Sequence, residues 1–279
     1  MKKKNKLKSC RMLIRFIEFQ EHDPSLNMAV DEAISIFVRK GKVLPTFRLY
    51  GWNKKAITIG EFQKIEEINQ AFCIASGIPV IRRPTGGKGI LHYDDITYSF
   101  SCRKEGKFRG NLFQTYEILS HLFAKAFNLT GIHVEFKKEK RTVNKSSLCF
   151  ARSSFGELCF KNVKIIGSAQ KRWVNGFLQQ GTIPVTVNRD LLKKVFLCNT
   201  EEVNTIFGIK ELFDSFEIDI FQENIKKALK DDGFEIVVEN LQQEELALAQ
   251  ILQKNYQSLC NKTEMQQRQP CLYKYEQTE

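Results

Sequence analysis

The feature that most constrains this chain is the run Arg82-Arg83-Pro84-Thr85-Gly86-Gly87-Lys88-Gly89-Ile90-Leu91-His92, which continues through Tyr93-Asp94-Asp95-Ile96-Thr97-Tyr98-Ser99-Phe100. Val80 and Ile81 read as the end of a buried strand ahead of it. Three glycines then fall within four positions. Lacking Cβ, glycine accepts positive φ and lets another molecule approach the backbone closely. Ile96, Tyr98, Phe100 and Cys102 alternate with Thr97, Ser99 and Ser101, which is strand periodicity. The segment reads strand, glycine turn, strand, with Arg82, Arg83, Lys88 and His92 placed around the turn. It would make a wall for an anionic or carbonyl-bearing ligand. Taken alone, it is better read as a glycine hairpin with solvated charges.

A chain of 279 residues, 42% of them hydrophobic, can bury a core of its own and fits one large domain. The domain is expected over residues 11–256. A lysine-rich tail, 1–10, is read as disordered, and a polar tail covers 257–279. The formal charge of +11 favours acidic partners: nucleic acid, anionic membrane or an acidic protein. The eight cysteines contain no C-x-x-C pair, which argues against a zinc ribbon or a thioredoxin-like motif. Met12-Leu13-Ile14 is cut short by Arg15, so no signal-peptide core forms. No apolar run approaches the ~20 residues of a spanning helix. The reading is a soluble, cytoplasmic chain with reduced thiols.

Along the chain, Arg11 to Phe19 is expected as a strand, and Asp23-Pro24-Ser25 opens a helix that Gly41 stops. Strands follow near 47–51 and 56–59, then a turn at Gly60-Glu61-Phe62-Gln63 and a helix over 65–76. Leu112, Tyr116, Leu119, Leu122, Phe123 and Phe127 mark a second long helix. Val134 and Phe136 suggest a strand. Two more, 157–160 and 164–166, form a hairpin around Lys161-Asn162-Val163. A further strand covers 176–185. Beyond Arg189 the pattern turns largely helical, with an amphipathic helix ending at Gly233, a strand at 234–238 and a last helix over 244–256.

The candidate chemistry lies between the two halves. Lys137-Lys138-Glu139-Lys140-Arg141 leads into a polar loop that ends at Cys149-Phe150. Fifteen residues on stands Lys164, ahead of Ile165-Ile166-Gly167-Ser168-Ala169-Gln170. A thiol with an ordinary pKa of about 8.5 is mostly protonated at neutral pH, and a nearby ammonium shifts it towards thiolate. Cys149 with Lys164 would make such a nucleophile. A Cys–His dyad with His92 or His133 is the alternative base arrangement, and spacing places neither beside Cys149. On composition alone, any one of eight cysteines is more simply an inert core residue.

Taken together, four ordered segments resemble the biotin/lipoate ligase and lipoyl-transferase superfamily. They are Asn27 to Ala33, then Phe47 to Trp52 with Gly60 to Gln63, then the glycine turn with His92 and Thr97-Tyr98-Ser99, then Lys164 to Gln170. Within it, Cys149-Phe150 is similar to the cysteine-dependent octanoyltransferases, where ligases usually carry a Gly/Asn/Asp segment. The chain departs from the usual pattern at Gln180-Gly181, where His-Gly is common, and at Lys88, which interrupts a triple glycine. Cys260 stands close to where a tryptophan is common.

The resemblance implies an α+β fold, a mixed β-sheet with flanking helices. It implies transfer of octanoyl from octanoyl-acyl carrier protein, through a Cys149 thioester, to a lysine of a lipoyl domain, such as glycine cleavage protein H or an E2 subunit. Lys164 would lower the thiol pKa. Arg82, Arg83, Gly86, Gly87, His92, Gly167, Ser168 and Ala169 would bind substrate. No metal, ATP or bound cofactor is required for that reaction, and neither nucleic acid nor membrane is expected as a partner. An amidotransferase between lipoyl domains and an ATP-dependent lipoate or biotin ligase are the alternative activities.

Overall fold

The computed structural model describes residues 11–136, 150, 158–197 and 200–261. The chain opens with strand β1 (Leu13–His22) and helix α1 (Pro24–Arg39). Asp23 caps α1: its Oδ1 accepts from the Ser25 amide at 2.9 Å, and Pro24 occupies the first turn, where no amide is needed. Strands β2 (Thr46–Trp52) and β3 (Ala56–Ile59) precede α2 (Gln70–Ala75), β4 (Val80–Arg82), β5 (Ile90–His92) and β6 (Asp95–Arg103). Then come α3 (Leu112–Leu129), β7 (Glu135–Phe136), β8 (Leu158–Phe160), β9 (Val163–Lys164), β10 (Gly167–Arg172) and β11 (Gly176–Pro184). The remainder holds α4 (Arg189–Val195), α5 (Thr200–Asn204), α6 (Ile209–Leu212), α7 (Ile218–Asp231), β12 (Glu235–Val238) and α8 (Gln243–Gln253). No helix among the described residues is long and apolar enough to cross a membrane.

The central sheet has six strands in the order β10-β11-β6-β2-β1-β12. It is mixed: β1 runs parallel to β2 and β12, while β2, β6, β11 and β10 alternate in direction. Every residue of β2 is buried, as expected of a middle strand covered on both faces. Alternation sorts its side chains. Phe47 and Leu49 join Phe16, Tyr98 and Phe100 in a core closed by α3 and α7, with Phe123, Phe127 and Phe221. Tyr50 lies with Ile17 in a second core formed with α1 and α8. The phenylalanines pack ring on ring: Phe123 sits 4.4 Å from Tyr98 and 5.9 Å from Phe47 between centroids, within the range of favourable aromatic pairs.

A smaller sheet, β4-β3-β5, lies over a third core that includes Ile57, Val80, Ile90, Val195 and Phe196. Here the expectation of a strand–turn–strand hairpin needs correcting. β4 pairs parallel with β3, β5 pairs antiparallel on its other side, and β6 belongs to the central sheet. The glycine turn thus spans β3 within the small sheet, and Tyr93-Asp94, after β5, hand the chain to the central sheet. The helix expected over 65–76 is also interrupted. Ile65–Glu67 is a single 3-10 turn, Ile68 bridges to Phe196, and Asn69 caps a new helix through the Phe72 amide. The 161–162 turn has both residues at positive φ, Lys161 at 45° and Asn162 at 68°, the geometry favoured in two-residue hairpins. Just past residue 256 the chain still makes contacts: Leu259 is buried, and the Val80 amide donates to Ser258 Oγ at 3.2 Å.

Candidate active site

The glycine turn is held by its own arginines. Nη1 of Arg82 donates to the carbonyls of Gly60, Glu61 and Gln63 at 2.8, 2.8 and 2.9 Å. Nη2 of Arg83 donates to the carbonyls of Gly86 and Lys88 at 2.5 and 2.9 Å, and its Nη1 to that of Thr58 at 3.2 Å. Gly60 and Gly87 meet backbone to backbone: a Cβ on Gly60 would lie 2.1 Å from the Gly87 carbonyl oxygen. Gly87 itself has φ +87°, which favours glycine.

Behind the turn is a small, partly open cleft between the two sheets. Arg83, Thr58, Ile90 and His92 line it from the small sheet, and Gly167, Ser168, Ala169 and Gln180 from the central one. Five of the residues singled out for substrate binding, Arg83, His92, Gly167, Ser168 and Ala169, therefore share one cavity. Gly87 stands close to them, since a Cβ there would lie 3.6 Å from that of Ala169. At Gly86 an added Cβ would meet open space. Arg82 stays outside the lining, bound to the neighbouring turn. His133 is exposed after α3 and does not line the cleft.

His92 is fixed on three sides. Its ring stacks on Trp52 with centroids 3.8 Å apart, Nδ1 is 3.0 Å from Asp95 Oδ2, and Nε2 is 2.9 Å from Thr58 Oγ1. A neutral imidazole with Nδ1–H turned to Asp95 accepts the Thr58 hydroxyl at Nε2. Trp52 Nε1 donates to Thr97 Oγ1 at 3.0 Å, so the rings forming this wall are locked in place.

Beside the cleft lies a buried hub that the motifs left without a role. Asp31, fully buried, accepts from Arg48 Nη1, Tyr50 Oη and Ser99 Oγ, each at 2.8 Å, and from Gln180 Nε2 at 2.7 Å. Burial, followed by the Asp31 charge, pushes the Tyr50 hydroxyl well above its ordinary pKa, so it remains a donor. Tyr98 is pushed up to about 12 by burial, against the opposing hydrogen bonds from Ser168 and Gln179. A signal for the hub existed in the sequence. Asn27, Asp31 and Ser35 recur every four residues along the buried face of α1, and polar groups on such a face need buried partners.

Lys164 is buried at the end of β9, its Nζ 5.5 Å from the centre of the Phe150 ring. Phe150 lines a second pocket that adjoins the cleft through the shared residues Ile90 and Thr182. Cys149 and the basic cluster Lys137 to Arg141 lie outside the described residues. What the fold brings together is thus Lys164 and the immediate chain neighbour of Cys149. Among the described residues no group of three or more His, Cys, Asp or Glu side chains is placed to hold a metal ion.

The sequence profile of the lipoyl protein ligase A/B catalytic domain matches residues 23–230, a span that holds the cleft, the Asp31 hub and Lys164. The chain belongs to the lipoyl protein ligase A/B catalytic domain family. An octanoyltransferase LipM from Halalkalibacterium halodurans is 35% identical over 239 residues, covering 79% of this chain and 85% of the relative. Among solved structures, lipoate-protein ligase A bound with ATP superposes with a TM-score of 0.75 at 18% identity, covering 87% of this chain and 95% of the other. A bipartite lipoate protein ligase from Thermoplasma acidophilum, studied together with its E2 lipoyl domain, gives a TM-score of 0.72 at 17% identity, covering 87% and 92%. At such identities the structures speak for the fold. The α+β architecture with a mixed sheet, expected from the resemblance, is the architecture this lipoyl ligase family member has.

Proposed function

We propose that this chain is an octanoyltransferase of lipoate biosynthesis, with Cys149 as nucleophile and Lys164 as its activating cation. The kinship to octanoyltransferase LipM supports the activity. The observation that carries the site is the Lys164 ammonium lying 5.5 Å over Phe150, the residue next to Cys149. The donor is octanoyl-acyl carrier protein and the acceptor a lysine of a lipoyl domain, glycine cleavage protein H or an E2 subunit.

The Cys149 thiolate attacks the carbonyl of the donor thioester, and the tetrahedral intermediate collapses to expel the carrier's thiolate. One thioester replaces another, so the step is nearly isoenergetic. The acceptor's neutral lysine amine then attacks the acyl-enzyme. The new C–N bond forms, the C–S bond breaks, Cys149 departs as thiolate, and the amine's proton passes to solvent water. Thioester to amide is downhill, so no ATP is consumed. Amide N–H groups of the glycine turn provide the stabilisation of the oxyanion. Met28, Trp52 and Ile90 supply apolar walls in the cleft, and six buried methylenes at ~0.8 kcal/mol each give ~5 kcal/mol of acyl binding. The net charge of +11 steers acidic carrier and acceptor domains towards the enzyme.

Intact-mass spectrometry after mixing with octanoyl-acyl carrier protein tests this reading. An octanoyl adduct should form on the parent and be absent from Cys149→Ala. An adduct mapped to Cys159, or transfer that requires free octanoate and ATP, would overturn it, the latter in favour of a ligase. Faster acylation by an octanoylated lipoyl domain than by the carrier would identify an amidotransferase.

A further inference from the structure

We infer that Gln180 is a positioning residue that ties the glycine turn to the central sheet and so sets the cleft in its acyl-transfer geometry. This rests on the acyl-transfer reading above. Gln180 lies in β11, paired across the sheet with Ser99 on one side and Ala169 on the other. It is only 5% exposed and lines the cleft. Its Nε2 donates to Asp31 Oδ2 at 2.7 Å, and its Oε1 accepts from Thr85 Oγ1 at 2.8 Å.

The amide orientation is forced. Asp31, ion-paired with Arg48, has only acceptors to offer, so the NH₂ must face it and the carbonyl must face Thr85. Thr85 is fully buried and directly precedes Gly86 and Gly87. The arginines bind the turn to itself, to β3 and to the 60–63 turn. Gln180 binds it across the cleft, to the hub inside the central sheet. The cleft is lined from both sheets, so this bond acts on the distance between its walls. An amide is suited to the task because it donates and accepts at once without titrating.

Substituting a carboxyl makes that distinction measurable. In Gln180→Glu the new group can replace the amide only when protonated, donating to Asp31 and accepting from Thr85. The charged and titratable groups around the position are Asp31 from α1, Arg48 and Tyr50 from β2, Asp95 from the start of β6, Arg83 just after β4, and His92 from β5. The adjacent buried Asp31 carboxylate disfavours a second negative charge, so the introduced group titrates above the usual carboxylate range.

The experiment compares the parent, Gln180→Glu and Gln180→Met. First, the rate of Cys149 acylation by a small octanoyl thioester is followed against pH. Gln180→Glu should approach the parent at low pH and lose about tenfold or more as pH rises through the new titration, the size of one lost hydrogen bond to a charged group. Gln180→Met should lose a similar factor at every pH, mainly in kcat. Second, hydrogen exchange of the Gly86–Gly89 amides, which needs no substrate, should accelerate in Gln180→Met while β6 amides hold their rates. Unchanged turn exchange, or a Gln180→Glu pH profile parallel to the parent's, would overturn the inference. If Gln180→Met does not fold, the Gln180→Glu profile and its pH-dependent turn exchange decide it alone. Responsive turn exchange in a parent that forms no acyl adduct would leave the tie standing and remove the transfer reading.

Discussion

The ammonium of Lys164 lies 5.5 Å from the ring centre of Phe150. Both residues are buried, and Cys149 is joined to Phe150 by one peptide bond. A cation so placed should favour the Cys149 thiolate over the thiol. Lys164→Ala should therefore raise the pH midpoint of Cys149 alkylation by iodoacetamide towards the ordinary value of about 8.5. Acylation near neutral pH should slow, and higher pH should restore part of the rate. Lys164→Arg keeps charge with a different shape and should rescue only in part. Identical alkylation midpoints in parent and Lys164→Ala would confine Lys164 to placing the acyl carbonyl.

The glycines near the cleft should respond unequally to a methyl group. At Gly60 it would lie 2.1 Å from the Gly87 carbonyl oxygen, a contact only backbone movement relieves, whereas at Gly86 it meets open space. Gly60→Ala should cut acyl transfer by about tenfold or more, the scale seen when reacting groups are misplaced by an ångström. Gly86→Ala should keep the parent's melting midpoint. Equal transfer rates for parent and Gly60→Ala would show that the two turns move independently.

Stability should be sensitive at the junction of β1 and α8. Arg15 Nη1 and Nη2 donate to Glu245 Oε2 and Oε1 at 2.7 and 2.5 Å, with both side chains at most 1% exposed. Glu245→Ala strands a buried guanidinium and should cost about 3–5 kcal/mol in denaturant unfolding. The double variant Arg15→Met/Glu245→Leu should recover most of that loss, because no uncompensated charge remains. A double variant as unstable as the single one would locate the cost in packing rather than in charge.

His22 gives a pH dependence with a definite sign. Burial, and then the positive charge of Arg48, lower its pKa below the ordinary histidine value. The unfolded chain binds the proton more readily, so stability is complete above about pH 6.5 and declines as pH falls from there to the depressed folded value. His22→Gln should flatten this part of the curve when unfolding is followed between pH 8 and 5. Parallel curves for the two proteins would assign the slope to another group.

Much of this arrangement is written locally. Helix α1 announces itself through Asp23-Pro24 and Gly41, α3 and α7 through their apolar stripes, and β6 and β11 through strand-like patterning. Strand β10 carries no such mark: Gly-Ser-Ala-Gln-Lys-Arg has no alternation, and its strand form comes from pairing with β11. The break at Ile68 depends on Phe196, far along the chain. The glycine turn looks like a hairpin because the strand that separates its arms, β3, comes before both. At the site, resemblance located Lys164, yet its approach to Phe150 depends on the β8–β9 hairpin and could not be computed from a spacing of fifteen residues. Gln180 stood out only as a departure, and its joint to Asp31 and Thr85 requires three elements to meet.

The pairing of β1 with β12 also bears on how the protein is made. Leu13 lies opposite Glu235, about 220 residues later. During synthesis at roughly 5–20 residues per second, β1 emerges some 10–45 s before its edge partner exists. Through that interval one side of β1 has no strand to pair with, and Arg15 waits for a counter-ion that is made later still. The nascent chain thus carries a sticky border and a charge without its mate until β12 and α8 have been made, so its exposure to aggregation and to chaperones is set by when those two elements emerge.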